Sequence, residues 1–271
     1  MIKLELKRSL KNRWTLLIFS IVSVFCLIAY FEQYILVQNS INLDIEMGYE
    51  SVSYLRFSTP YNMWFLFEKS RLEYIFLFLM PIFAVLPYGA SYYSDIKSGY
   101  AKQIITRVAP RKYYAAKYIA TFVSGGAVTT VPVFIQFLLL ALFLPLHKPF
   151  RFQSLMIGEN TLGIDLFFDH PMIYTLICML CVFIVSGVFA TVGLFISLYI
   201  TNFFSVILTP FAISFILLFV TYISGISEFS FMNSLQAITE LEYNYWIPLI
   251  EVIVLFLITF MTFVMSRKET Y

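Results

Sequence analysis

The chain has 271 residues, of which 60% are apolar and only 13% charged, and its mean hydropathy is +0.83. Soluble domains carry about 25% charged residues, so this composition excludes both a soluble globular domain and a disordered chain. Eighteen Lys and Arg against sixteen Asp and Glu leave a net charge of +2, too little for a protein that grips a nucleic-acid backbone.

A bilayer core about 30 Å thick takes roughly 20 apolar helical residues. Stretches free of Asp, Glu, Lys and Arg therefore mark candidate spans. Ahead of the first, residues 1–13 place Ile2, Leu6, Leu10 and Trp14 at steps of four, with Lys3, Lys7 and Lys11 on a neighbouring row. That spacing predicts an interfacial helix lying in the headgroup plane. The first span runs from Trp14 to Phe31 and extends past Glu32 to Val37. Its apolar core is too long for a secretory signal, and no small-residue cleavage site follows Ala29. Residues 38–73 form an outer loop. The second span runs from Tyr74 to Ser94, and a basic inner segment follows it.

The third span covers Tyr118 to His147, and a second outer segment covers 148–171. From His170 to Ser227 no Asp, Glu, Lys or Arg occurs over 58 residues, enough for two spans joined by a tight hairpin at Thr201 and Asn202. Within the fourth span, Ser186, Ala190, Gly193 and Ser197 put small residues on one face, which suits close helix contact inside the chain or at a subunit seam. Residues 225–244 are too apolar for a free loop and fit short helices dipping back toward the membrane. The last span covers Val252 to Ser266 and borrows Tyr245–Glu251 to reach spanning length. Pro81, Pro87, Pro132 and Pro210 fall inside spans, where each removes a backbone donor and favours a kink. No span alternates apolar and polar residues, so a β-barrel is excluded. The expected fold is an all-α integral membrane protein of six transmembrane helices, forming one domain over 1–271.

Orientation follows from Lys and Arg. With the termini and the inner segment on one side, that side holds 13 of them and the other holds five: Arg56, Lys69, Arg71, Lys148 and Arg151. Both termini are therefore expected in the cytoplasm. Acids lean the other way, since only Glu5, Asp95 and Glu269 fall inside. Topology and anionic inner lipid account for this bias. A sharper reading makes the outer acids Glu228, Glu240 and Glu242 an attractor for a cationic substrate.

Enzyme chemistry finds little support. His147 and His170 sit at span ends without acid or Cys partners, so no metal site is expected. Cys178 and Cys181 form a C-x-x-C inside an apolar helix and, with Cys26, read as small apolar side chains. The chain lacks G-x-S-x-G, H-E-x-x-H and a phosphate-binding G-x-x-x-x-G-K-[ST] loop. No charge lies mid-span, and no inverted repeat is visible, which weakens an ion-coupled secondary transporter.

The inner segment reads Ser94-Asp95-Ile96-Lys97-Ser98-Gly99-Tyr100-Ala101-Lys102-Gln103-Ile104-Ile105-Thr106-Arg107, followed by Pro110-Arg111-Lys112 and Lys117. An acid stands four residues before a glycine, and an amphipathic stretch follows. Together with the layout of the spans, this resembles the ABC-2 type permeases of ATP-binding cassette transporters, particularly those of bacteriocin and lantibiotic immunity. Many members carry Glu where this chain has Asp95. The resemblance implies that residues 95–112 form a cytoplasmic coupling segment, with Asp95 capping its helix or accepting hydrogen bonds near the helix start. Gly99 would allow close approach, Ile104 and Ile105 would anchor it, and Arg107, Arg111 and Lys112 would make rim contacts. It further implies cytosolic ATPase subunits as partners, which hold the ATP and magnesium this chain lacks, and a second permease, identical or different. The expected activity is export or extraction of an amphipathic peptide or lipid across a bacterial cell membrane, as in antimicrobial peptide resistance, with no catalytic residue in this chain. A non-transporting immunity or sensor protein and an ion-coupled transporter remain the alternatives. Co-purification of an ATPase separates them.

Overall fold

The computed structural model describes residues 1–48, 58–67, 70–150, 163–226, 230–236 and 246–265. Every regular element among them is helical. In chain order they are α1 (Ile2–Leu10), α2 (Arg13–Glu46), α3 (Pro60–Met63), α4 (Arg71–Val85), α5 (Ser91–Lys97), α6 (Tyr100–Ile105), α7 (Pro110–Phe143), α8 (Ile164–Asp169), α9 (Pro171–Ile196), α10 (Phe203–Ser224), α11 (Phe231–Leu235) and α12 (Trp246–Met265). Four of these, α2, α7, α9 and α10, are long and apolar enough to cross a membrane. The chain thus has the character of a multi-pass membrane protein.

α9 is the hub. It packs most extensively on α7 and also touches α4, α10 and α12. The stripe of small residues in the fourth span makes these contacts internal. A Cβ added to Gly125 on α7 would stand 2.4 Å from the Ala190 Cβ, and one added to Gly193 would stand 2.5 Å from Val85 Cγ1. Backbones approach this closely only where side chains are absent, and lipid offers no hydrophobic drive to replace that packing. Thr129 adds a 2.8 Å hydrogen bond to the Ser186 hydroxyl across the same seam.

α2 shows the opposite balance. Only Thr15, Ile18, Val22, Cys26, Ala29, Gln33 and Val37 are buried, one narrow stripe at steps of three and four. Leu16, Leu17, Val24, Ile28, Phe31 and Ile35 on its other faces are exposed. An apolar helix with an exposed apolar surface suits lipid rather than water.

Several boundaries differ from the sequence reading. α2 continues to Glu46, so the first ten residues of the expected 38–73 loop are mostly helix. The second apolar run does not stay helical to Ser94. α4 stops at Val85, and Pro87, expected within a span, lies in the turn that follows. A prolyl ring cannot donate the next helical hydrogen bond. α7 begins at Pro110, a favoured first helical position, so residues 110–117 belong to the long helix rather than to the inner segment. Within residues 225–244, α11 packs Phe231 against Phe189 of α9 with ring centroids 5.2 Å apart.

Candidate functional site: a buried charge cluster at the basic end

Three chain regions meet at one end of the bundle: α1, the stretch from Tyr88 to α6, and the start of α7. α1 forms as its spacing predicts, but it buries the other face. Glu5 and Ser9 are buried, while Ile2, Leu4 and Leu10 are exposed. The apolar row is thus left on the outside of the bundle, and the acid turns into the protein against α7.

At the centre stands Asp95, on the last turn of α5 and fully buried. Arg8 grips its carboxylate with two prongs, Nη2 to Oδ1 at 2.6 Å and Nη1 to Oδ2 at 3.2 Å. Tyr113 donates to Oδ2 at 2.7 Å, and the Lys117 ammonium donates to the same oxygen. Glu5 completes the cluster. Its Oε2 accepts from the Tyr88 hydroxyl at 2.6 Å and lies 3.8 Å from Lys117 Nζ, while its Oε1 lies 3.9 Å from Arg8 Nη1. Three rings close the site: Arg8 stacks 4.4 Å above the Tyr100 ring, and Lys117 lies 5.1 Å from the centroid of Tyr88 and 5.4 Å from that of Tyr113.

Two acids face two bases, so the cluster is neutral as a unit. That balance makes burial tolerable, because an isolated ion in a low-dielectric interior carries a penalty of several kcal/mol. Burial opposes ionisation of Asp95, but the field of Lys117 and the hydrogen bonds from Arg8, Lys117 and Tyr113 outweigh it and hold the pKa below the ordinary 3.8. Burial likewise opposes the charge on Arg8, and the bond and field of Asp95 overcome it, raising the guanidinium pKa above its usual value.

The coupling residues inferred from the sequence divide here. Residues 95–107 are not one helix. α5 and α6 are separate, and Gly99 between them takes a left-handed φ of 73°. Asp95 caps neither helix start. It faces inward as the hub of the ion cluster. A Cβ on Gly99 would meet nothing within 4 Å, so its surroundings in this chain are open. Ile104 and Ile105 are half-buried against the chain's own aromatic cluster of Tyr92, Tyr113, Tyr114, Tyr118 and Phe263. Arg107, Arg111 and Lys112 are exposed, as are Lys97 and Lys102. Glu228, Glu240 and Glu242 lie outside the described residues.

Glu5, Arg8, Tyr88, Tyr113 and Lys117 were not singled out from the sequence. The available signal was weak: acids are scarce at this end, and two of them, Glu5 and Asp95, sit among cations in segments that flank spans. Among the described residues no group of three His, Cys, Asp or Glu could hold a metal ion. Within the cluster Glu5 Oε1 is buried and accepts no hydrogen bond. The cluster locks α1, α5 and α7 together. No protein-family model, curated protein or solved structure matches this chain.

Proposed function

We propose that this chain is the membrane-spanning permease subunit of an ATP-binding cassette transporter, and that the α5–α6 platform is where a cytosolic ATPase pushes on it. The reading rests on the way that platform is mounted. A docking element transmits force only if it is tied to the helices it must move. Here Asp95 ties α5 to both α1 and α7 through Arg8 and Lys117. Gly99, with open space before it, and exposed Lys97, Lys102 and Arg107 leave the outer side of the platform available.

In this reading α4 and α12 complete six spans with the four long helices, and both termini face the cytoplasm of a bacterial cell. Two permeases, identical or different, pair with two ATPase subunits that bind ATP and magnesium. The cargo is an amphipathic peptide or lipid, exported or extracted from the membrane. The acids Glu228, Glu240 and Glu242 attract it on the outer face.

The test is affinity purification of the full chain from its native membranes in mild detergent. A Walker-motif ATPase should accompany it, and the ATPase activity of the reconstituted complex should respond to the permease. Gly99→Trp, which fills the open space, and Ile104→Asp should abolish that response while Lys97→Ala leaves it intact. A folded, inserted chain that carries down no ATPase, or unchanged stimulation in both variants, would overturn the proposal.

A further inference from the structure

Beside the charge cluster lies a groove of about 690 Å³, walled by α1, the α1–α2 corner, the turn after α4 and the first residue of α10. Its cations are Lys7, Arg8, Lys11 and Arg13, and no acid lines it. Among the described residues Lys7, Lys11 and Arg13 form no ion pair, unlike Arg8. The walls are fixed: Asn12 Nδ2 donates to the Pro87 carbonyl at 2.6 Å, and Trp14 packs on Phe203 with centroids 6.0 Å apart. Ser91 also faces the groove, and its buried hydroxyl has no hydrogen-bond partner.

A second hollow of about 310 Å³ lies further up α2, lined by Ser20, Ile21, Val24, Phe25 and Ile28 with Leu72 of α4. Its exposed lining is wholly apolar. Trp14 in the first groove and Ile21 and Ile28 in the second are spaced by seven residues, which puts them on one face of α2. A cationic pocket at the basic end and an apolar hollow therefore lie along one face of the same helix, and the first of them carries an aromatic side chain, Trp14, of the kind that favours the headgroup level.

We infer that this pair of hollows is a binding site for one anionic phospholipid. The headgroup phosphate sits among Lys7, Lys11 and Arg13 with Ser91 as an added donor, and an acyl chain lies along Ile21 and Ile28. The charge sign selects an anionic lipid, and the apolar hollow further along the same helix selects an amphiphile over a soluble phosphate. The site does not depend on the ATPase reading. Its occupant would brace α1, and with it the Arg8–Asp95 pair, against the membrane.

The test uses the full-length protein in detergent, with lipid retention read by native mass spectrometry and thermal stability. Phosphatidylglycerol should bind and stabilise, while phosphatidylcholine and inorganic phosphate should do neither. Replacing Lys7, Lys11 and Arg13 together by Gln should weaken phosphatidylglycerol binding by roughly tenfold to a hundredfold. The same number of charges removed at Lys97, Lys102 and Arg107 should change it little. Ile21→Trp, which fills the slot and leaves every charge in place, should also weaken it. Equal binding of both lipids, equal loss in the two triple variants, or full retention in Ile21→Trp would overturn the inference. Competition by inorganic phosphate would overturn it in favour of a soluble anion site.

Discussion

Arg8 and Asp95, 87 positions apart, meet in a two-pronged ion pair at 2.6 and 3.2 Å that joins α1 to α5. Arg suits this role because its planar fork matches a carboxylate with two parallel hydrogen bonds, which Lys cannot reproduce. On the other side of the same carboxylate Lys117 is fully buried. Asp95 is thus hydrogen-bonded by cations from two different helices, α1 and α7.

Removing it should therefore cost more than an ordinary surface change. Asp95→Asn leaves the buried Lys117 with only Glu5, 3.8 Å away, as a counter-charge. The expected loss is about 3–5 kcal/mol, typical of breaking a buried pair by removing one partner. Lys117→Met in the same chain should recover part of it, since the orphaned charge is gone. Thermal unfolding of the purified variants in detergent measures both, and a double variant less stable than either single one would contradict the picture.

Acid should weaken the same cluster. Asp95 has a folded pKa below its ordinary 3.8, so its stabilising contribution is fully present above that value and is lost as pH falls through the lower, folded one. Between pH 7 and 5 this contribution should stay constant. The difference in melting temperature between the native chain and Asp95→Asn should shrink only as the pH falls below about 4. A difference that already shrinks at pH 6 would place the titration elsewhere.

Gly99 separates two kinds of demand. Its φ of 73° penalises any side chain, yet a Cβ there would touch nothing. Gly99→Ala should cost about 1–2 kcal/mol of stability, and Gly99→Asn less, because Asn tolerates the left-handed region better. Any larger effect of Gly99→Ala on ATPase stimulation than on melting temperature would then come from contact with a partner. Parallel melting and activity assays on the two variants separate the terms.

Orientation is open to direct chemical test. Ile45 near the end of α2 and Lys102 in α6 are both exposed, at opposite ends of the chain's charge asymmetry. With Cys26, Cys178 and Cys181 replaced by Ala, a cysteine at position 45 should react with an impermeant thiol reagent in intact cells. One at position 102 should react only after the cells are opened. The reverse pattern would invert the topology.

Membrane character was legible in the sequence because hydropathy is a local property, summed over some twenty neighbouring residues along one helix. The helical periodicity of residues 1–13 was legible for the same reason. Asp95 stood out by its spacing to Gly99, but its partners did not. A lone charge beside a span reads as exposed, since burying it unpaired is prohibitive. Only folding brings Glu5, Arg8 and Lys117 together so that their charges cancel and burial becomes affordable. The small-residue stripe through Ala190 and Gly193 carried the same ambiguity, suiting an internal contact or a subunit seam equally. The approach of Gly125 and Val85 assigns it to the interior of this chain. Composition and periodicity thus determined what kind of solvent each helix faces, whereas tertiary structure decided which side chains face one another. Pairing energies depend on distances between residues far apart in the chain, and no local window contains those distances.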